Sequence, residues 1–75
     1  MAEEIRAEIV ANVMNVLVGE GDTIGGGDTV VFLESMKMEI PVLAESGGVI
    51  TKLAVHAGDV VQEGDLIAVV DQVSG

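Results

Sequence analysis

A single lysine lies between two apolar segments, at a position where the chain is predicted to bend. Lys37 follows the apolar run 30–33 and precedes the apolar stretch 40–43, so the residues between them are predicted to form a tight turn joining two strands. Met36 and Met38 flank the lysine. Large apolar side chains are unfavourable on a surface unless another group packs against them. The pattern therefore predicts an exposed amine on a rigid mount, which the rest of the chain presents.

Other residues that often do chemistry lack the neighbours that their chemistry requires. Glu34 and Glu39 have the composition of an acid–base pair, but a hairpin with no pocket and no third group does not make an active site. His56 stands beside a predicted turn without a second histidine or a cysteine, so we expect no metal site there. The absence of cysteine excludes disulfides and thiolate chemistry. We therefore predict no catalytic residue and no metal ligand.

The charge balance is strongly acidic and excludes two classes of partner. Thirteen acidic residues face three basic ones in 75 residues, which gives a formal net charge of −10. Neither nucleic-acid binding through a basic patch nor attraction to an anionic membrane is expected. No apolar run approaches the roughly 20 residues of a membrane helix, and the acidic start at residues 1–4 is unlike a signal peptide. We expect a cytoplasmic protein with a solvated acidic surface.

Short valine-rich segments separated by glycine and aspartate predict one all-β domain over residues 1–75. Valine and isoleucine suit pleated sheets, and Gly–Asp pairs suit tight turns because glycine accepts a positive φ and aspartate accepts backbone N–H groups. Phe32, the one aromatic residue, is expected in the core, and Pro41 is expected on an edge strand. Strands are predicted near residues 5–10, 13–18, 23–24, 29–34, 38–43, 49–55, 60–61 and 66–70.

The sequence matches itself when it is shifted by 37 residues. Residues 16–22 fall on residues 53–59, with hydrophobic, glycine and aspartate positions in register. This spacing predicts two copies of one four-stranded unit, over about residues 5–35 and 42–72. One copy is too small to bury its apolar face, whereas two copies related by an approximate twofold axis form two facing sheets. Lys37 lies at the seam between the copies and has no lysine counterpart, which marks it as an addition to the scaffold.

The segment Glu-Ser-Met-Lys-Met-Glu at residues 34–39 closely resembles the attachment motif of biotinyl domains, the biotin carboxyl carrier modules of biotin-dependent carboxylases and decarboxylases. The duplicated pattern of valine and Gly–Asp at residues 18–28 and 55–65 is similar to the same family. The resemblance covers nearly the whole chain. It implies a flattened β-barrel of two four-stranded sheets with quasi-twofold symmetry, a barrel–sandwich hybrid of the biotinyl and lipoyl type, with the modified lysine on a hairpin.

The resemblance also implies a function, that of a carrier without catalytic activity of its own. A biotin protein ligase would join biotin covalently to Lys37 through biotinyl-adenylate. The biotin would then carry a carboxyl group between the active sites of biotin carboxylase and carboxyltransferase subunits. Met36 and Met38 would be flanks that the ligase recognises, and Glu34 matches the acid that helps to select biotinylation over lipoylation. The isolated domain is expected to be a monomer.

Several features depart from the family pattern. Ser35 is often alanine in the family, and Ala11 stands where the second copy has Gly48 and where the family often has glycine. The 75 residues contain no extended thumb insertion, no Ala/Pro-rich linker and no catalytic domain. We therefore expect a free-standing carrier that meets its partners by diffusion.

Two alternatives stand beside the biotin carrier. The first is a lipoyl carrier of a 2-oxoacid dehydrogenase-type complex, although lipoyl sites usually read Asp-Lys-Ala and methionine on both sides of Lys37 disfavours it. The second is an unmodified β-barrel adaptor, for which Lys37→Ala would change nothing.

Overall fold

Eight β-strands form two antiparallel sheets in this computed structural model, which describes residues 2–72. The strands are β1 (Ala2–Arg6), β2 (Ala11–Val16), β3 (Thr23–Ile24), β4 (Thr29–Ser35), β5 (Met38–Leu43), β6 (Gly48–Leu53), β7 (Val60–Val61) and β8 (Leu66–Asp71). One sheet has the order β1–β8–β6–β3 and the other has the order β5–β4–β2–β7. The predicted all-β fold of two four-stranded sheets is confirmed. The described residues contain no helix that is long and apolar enough to cross a membrane.

Aliphatic side chains fill the space between the two sheets. Buried or partly buried aliphatic side chains recur along the long strands, and they turn one face of each sheet inward. Leu33, Ile50 and Ile67 are among the side chains that are fully buried. Among residues 2–72 no polar or charged side chain is buried, so removal of apolar surface from water is the main force that holds the sheets together.

Backbone hydrogen bonds recur at the 37-residue spacing that the sequence shows. The N–H of Gly21 donates to the carbonyl of Ile50 (2.7 Å), and the N–H of Gly58 donates to the carbonyl of Val13 (2.8 Å). Each of these bonds is therefore the counterpart of the other. The strands correspond in the same way, because β2 and β3 each begin and end 37 residues before β6 and β7. An approximate twofold axis thus maps one sheet onto the other.

Four Gly–Asp pairs form the turns that connect strands. Their glycines have φ between 89° and 97°, a conformation in which any other residue would be strained. In each turn the aspartate carboxylate accepts the backbone N–H of the residue three positions earlier, at 2.8 or 2.9 Å. These pairs lie at residues 21–22, 27–28, 58–59 and 64–65.

The first strand lies earlier in the chain than predicted. The alternation of apolar residues predicted a strand over residues 5–10, but β1 ends at Arg6. Ala7 is still hydrogen-bonded to the turn that precedes β8, and the chain then crosses to the second sheet. Ile9 is 40% exposed because it lies in this crossing and not on the inner face of a strand. Strands β2 and β6 also end two residues earlier than predicted, since only single hydrogen bonds continue their ladders.

Phe32 does not belong to the buried core, contrary to the prediction. Its neighbours Val31 and Leu33 are buried, whereas Phe32 is only partly buried because it points to the outer surface of β4. The prediction for Pro41 is confirmed, since it lies on β5, an edge strand of its sheet, where a missing N–H is tolerated.

Candidate functional site: the Lys37 hairpin

Lys37 lies in the two-residue loop of the hairpin that β4 and β5 form. Ser35 pairs with Met38 at the end of the ladder, so only Met36 and Lys37 lie outside it. Both loop residues have positive φ, 53° for Met36 and 65° for Lys37. Positive φ at both central residues is typical of a type I′ turn, whose twist matches that of the paired strands.

This turn is built without the residues that usually form it. Type I′ loops favour asparagine and glycine, because a side chain in the left-handed region costs about 1–2 kcal/mol per residue. The strands below the loop offset that strain. Leu33 in β4 is 2% exposed and pairs with the partly buried Ile40 in β5, which anchors the base of the hairpin in the core. The anchored base and the tight turn fix the direction in which Lys37 leaves the sheet.

The side chains at the tip are exposed to solvent. Met36 is 91% exposed, Met38 is 61% exposed, and Lys37 is also exposed. None of the ion pairs found among residues 2–72 includes the Lys37 amine. Two large apolar side chains that flank an exposed amine are typical of a surface that another protein recognises.

Two carboxylates lie directly below the tip. Glu34 in β4 pairs with Glu39 in β5, so both side chains leave the same face of the hairpin. Glu34 is partly buried and Glu39 is exposed. Like charges that face each other across a ladder destabilise it, so folding does not explain this pair. A basic group placed near the two carboxylates would offset this repulsion.

The tip is not an enclosed reaction site. A groove of about 630 Å³ lies between β1 and β5, but none of residues 34–39 lines it. Within the described part of the chain, no group of three or more histidine, cysteine or acidic side chains is placed to hold a metal ion. The His56 side chain is 86% exposed, and its Nδ1 lies 3.9 Å from the carboxylate of Asp59. The Lys37 amine therefore lies at an open, exposed hairpin tip, outside this groove.

The structure brings all the predicted site residues onto one hairpin. Glu34, Met36, Lys37 and Met38 lie within five consecutive positions around the turn. The sequence reasoning did not identify the positive φ of the two loop residues or the pairing of Glu34 with Glu39. Both would follow from a ladder that leaves only two residues in the loop, because that loop length selects a type I′ or II′ turn and sets the register.

Comparison with known proteins agrees with this geometry. A family model described as "Biotin-requiring enzyme" matches residues 3–70. The chain belongs to the biotin/lipoyl attachment family. A relative in this family, "Biotinylated protein TB7.3 homolog" of Mycobacterium leprae (strain TN), is 64% identical over 70 residues, which are 93% of this chain and 99% of the relative.

Larger proteins contain similar domains. The "Biotin-dependent acyl-coenzyme A carboxylase alpha3 subunit" of Mycobacterium leprae (strain TN) is 46% identical over 66 residues, which are 88% of this chain and 11% of the subunit. In the crystal structure of the Kluyveromyces lactis urea carboxylase, the matching region has a TM-score of 0.87 and 34% identity, and the match covers 95% of this chain and 6% of the carboxylase. The chain is a biotin-attachment domain related to the biotin carrier domains of carboxylases, which are not themselves catalytic.

Proposed function

We propose that Lys37 carries a covalently bound biotin and that the chain is the carrier module of a biotin-dependent carboxylase. The observation that supports this most strongly is the exposed Lys37 amine in the loop of an anchored hairpin, flanked by exposed methionines. The other lysine, Lys52, lies on β6 within the repeated scaffold. The relative named as a biotinylated protein matches this chain over nearly its whole length, which supports the same cofactor.

Attachment of biotin is an acyl transfer to the Lys37 amine. The deprotonated Nζ attacks the carbonyl carbon of biotinyl-adenylate, an amide bond forms, and AMP leaves. The nitrogen gives up one proton before the attack and a second one afterwards. Because Glu34 and Glu39 lie on the ladder below the loop, we assign the base that accepts these protons to the biotin protein ligase.

The ligase recognises the chain through the residues around the lysine. Met36 and Met38 offer apolar surface on both sides of the amine, and Glu34 offers a carboxylate one ladder position below. Apolar contacts beside a charged contact are a common basis for specificity at protein interfaces. In this proposal the three residues therefore form the part of the site that the ligase reads.

The carrier positions a group whose chemistry comes from the cofactor. Bound biotin supplies the capacity to accept and release a carboxyl group, while the hairpin holds the attachment point away from the body of the domain. Delivery by a tether raises the effective concentration at each active site. The partners are biotin carboxylase and carboxyltransferase subunits. The carrier is one domain over residues 1–75 and acts as a monomer. It acts in the cytoplasm, where ATP for biotin activation is available.

The intact mass of the protein purified from its native cell tests this function against its alternatives. A mass increase of one biotinyl group is expected. An increase of one lipoyl group would move the chain to the lipoyl branch with the fold unchanged. A chain that stays unmodified, even after incubation with active biotin protein ligase, biotin and ATP, would contradict the proposal and favour an adaptor.

A further inference from the structure

The twofold axis gives each sheet an outer surface with equivalent positions. Residues that pair across neighbouring strands share a face, so the pairing defines each surface. The lysine-side face, on the sheet that carries the hairpin, contains Asn12, Asn15, Phe32, Glu34, Glu39, Pro41, Leu43 and Val60. The opposite face contains the residues related to these by 37 positions, Val49, Lys52, Val69, Asp71, Ala2, Glu4, Arg6 and Thr23.

The two faces differ in chemistry although they occupy equivalent places in the scaffold. At three equivalent positions the lysine-side face has an apolar residue where the opposite face has a charged or polar one, and two of these residues, Leu43 and Val60, are 48% and 65% exposed. At two other positions the order is reversed, because Asn12 and Glu39 correspond to Val49 and Ala2. Its centre holds the only aromatic residue of the chain, Phe32. The opposite face folds without these apolar groups, so the scaffold does not require them. The three apolar-for-polar exchanges are Pro41 for Glu4, Leu43 for Arg6 and Val60 for Thr23. Phe32 stands where the opposite face has the smaller Val69, and Asn15 stands where it has Lys52.

The distribution of charge also distinguishes the faces. Arg6 and Lys52, the basic residues other than Lys37, both lie on strands of the opposite sheet. Each face carries two carboxylates, those of Glu34 and Glu39 on the lysine-side face and those of Glu4 and Asp71 on the opposite face, but only the opposite face has basic side chains beside them. This face is continuous with the Lys37 loop, because β4 and β5 form both. A protein that approaches Lys37 along the hairpin therefore meets an apolar centre and an acidic border.

We infer that the lysine-side face is a docking surface for the biotin protein ligase, with Phe32 as its central anchor. The inference rests on the proposed modification of Lys37 and extends recognition from the tip to a strip across four strands. Partly exposed aromatic side chains at the centre of an interface often contribute most of its binding energy. The complementary ligase surface has an apolar patch to receive Phe32 and Leu43 and basic side chains that face Glu34 and Glu39.

Paired substitutions at equivalent positions test this surface. Val60→Lys on the lysine-side face and Thr23→Lys on the opposite face change the net charge equally, and both positions are exposed on two-residue strands. Initial rates of biotin incorporation are measured with a purified bacterial biotin protein ligase, biotin and ATP over a range of unmodified chain concentrations. We expect Val60→Lys to raise KM roughly fivefold or more with kcat within about twofold of wild type, because it places a cation opposite basic groups. Thr23→Lys is expected to change neither constant.

A second pair tests the anchor itself. Phe32→Val copies the residue at position 69 of the opposite face and is expected to raise KM roughly fivefold. Val69→Phe places an aromatic residue on the opposite face and is expected to leave KM unchanged. Equal effects of Val60→Lys and Thr23→Lys would show a response to net charge alone and would overturn the inference.

The remaining outcomes separate this inference from the function on which it rests. Normal biotinylation with an unchanged KM in Val60→Lys and Phe32→Val would overturn the ligase surface and leave Lys37 as the attachment site. If those biotinylated variants then failed in carboxyl transfer, the occupant would be the carboxylase. A wild-type chain that the ligase does not modify would overturn both the function and the inference.

Discussion

Met36 and Lys37 combine backbone strain with exposure, and folding alone favours neither property. A glycine or asparagine would lower the strain that positive φ causes at either position. A polar side chain would suit the 91% exposure of Met36 better than an apolar one. Backbone strain of this kind persists where the surrounding structure over-determines it, and it clusters at functional sites. Contact with the ligase, as proposed for Met36, gives a reason for this expense in stability.

Replacement of Met36 separates the strain from the side chain. Met36→Gly and Met36→Ala both remove the long apolar side chain, but only glycine adopts a φ of 53° without strain. We expect the free energy of unfolding of the glycine variant to exceed that of the alanine variant by about 0.5–1 kcal/mol. Urea denaturation followed by circular dichroism measures the difference. An alanine variant that is equally or more stable would contradict a strained loop.

The periodicity of the sequence predicted where most strands lie. It did not predict the strand ends and side-chain directions that depend on pairing with distant strands. The two-residue strands β3 and β7 follow from glycine punctuation, and the span of β5 follows from the apolar stretch after the predicted bend at Lys37. All three agree with the structure. The end of β1 does not follow, because the apolar alternation continues to Ile9 after the pairing with β8 has stopped. The outward direction of Phe32 was missed for a similar reason, since both Val30 and Val31 beside it are buried where the register with β5 shifts.

Equivalent positions in the two copies do not always tolerate the same residue. An alanine Cβ at Gly48 would overlap the carbonyl oxygen of Asp71, whereas Ala11 at the equivalent position is accommodated and 5% exposed. We expect Gly48→Ala to destabilise the fold by about 1–3 kcal/mol, as overpacking does elsewhere. The matched variant Ala11→Gly is expected to lose only about 0.5–1 kcal/mol. Thermal unfolding compares the two, and a harmless Gly48→Ala would show that the strands around Asp71 adjust freely.

In the molecule as a whole, the two repeated copies form the scaffold, and the Lys37 hairpin tip lies between them and belongs to neither. The scaffold is symmetric, with equivalent hydrogen bonds 37 residues apart, and the hairpin tip at its seam breaks that symmetry. The division into one domain over residues 1–75, with copies at about 5–35 and 42–72, stays a prediction that these bonds support. The strongly acidic surface adds a property of the entire molecule, because thirteen acids repel one another around a small core.

This repulsion predicts a salt dependence of stability. Screening weakens repulsion between exposed charges, so raising KCl from about 10 mM to about 150 mM at neutral pH should raise Tm by a few degrees. Glu63→Lys, at an exposed position in a turn, reduces the negative net charge and should flatten this dependence. A Tm that falls with added salt would show that favourable ion pairs outweigh the repulsion.

The attachment of biotin to Lys37 is tested most directly by intact mass after reaction with purified biotin protein ligase, biotin and ATP. Wild-type chain and Lys52→Arg are each predicted to gain one biotinyl group, because Lys52 lies on β6 outside the hairpin. Lys37→Arg is predicted to gain none, since arginine keeps the charge but removes the amine that is acylated. Biotin on the Lys37→Arg chain, or its loss in Lys52→Arg alone, would contradict the assignment of the site.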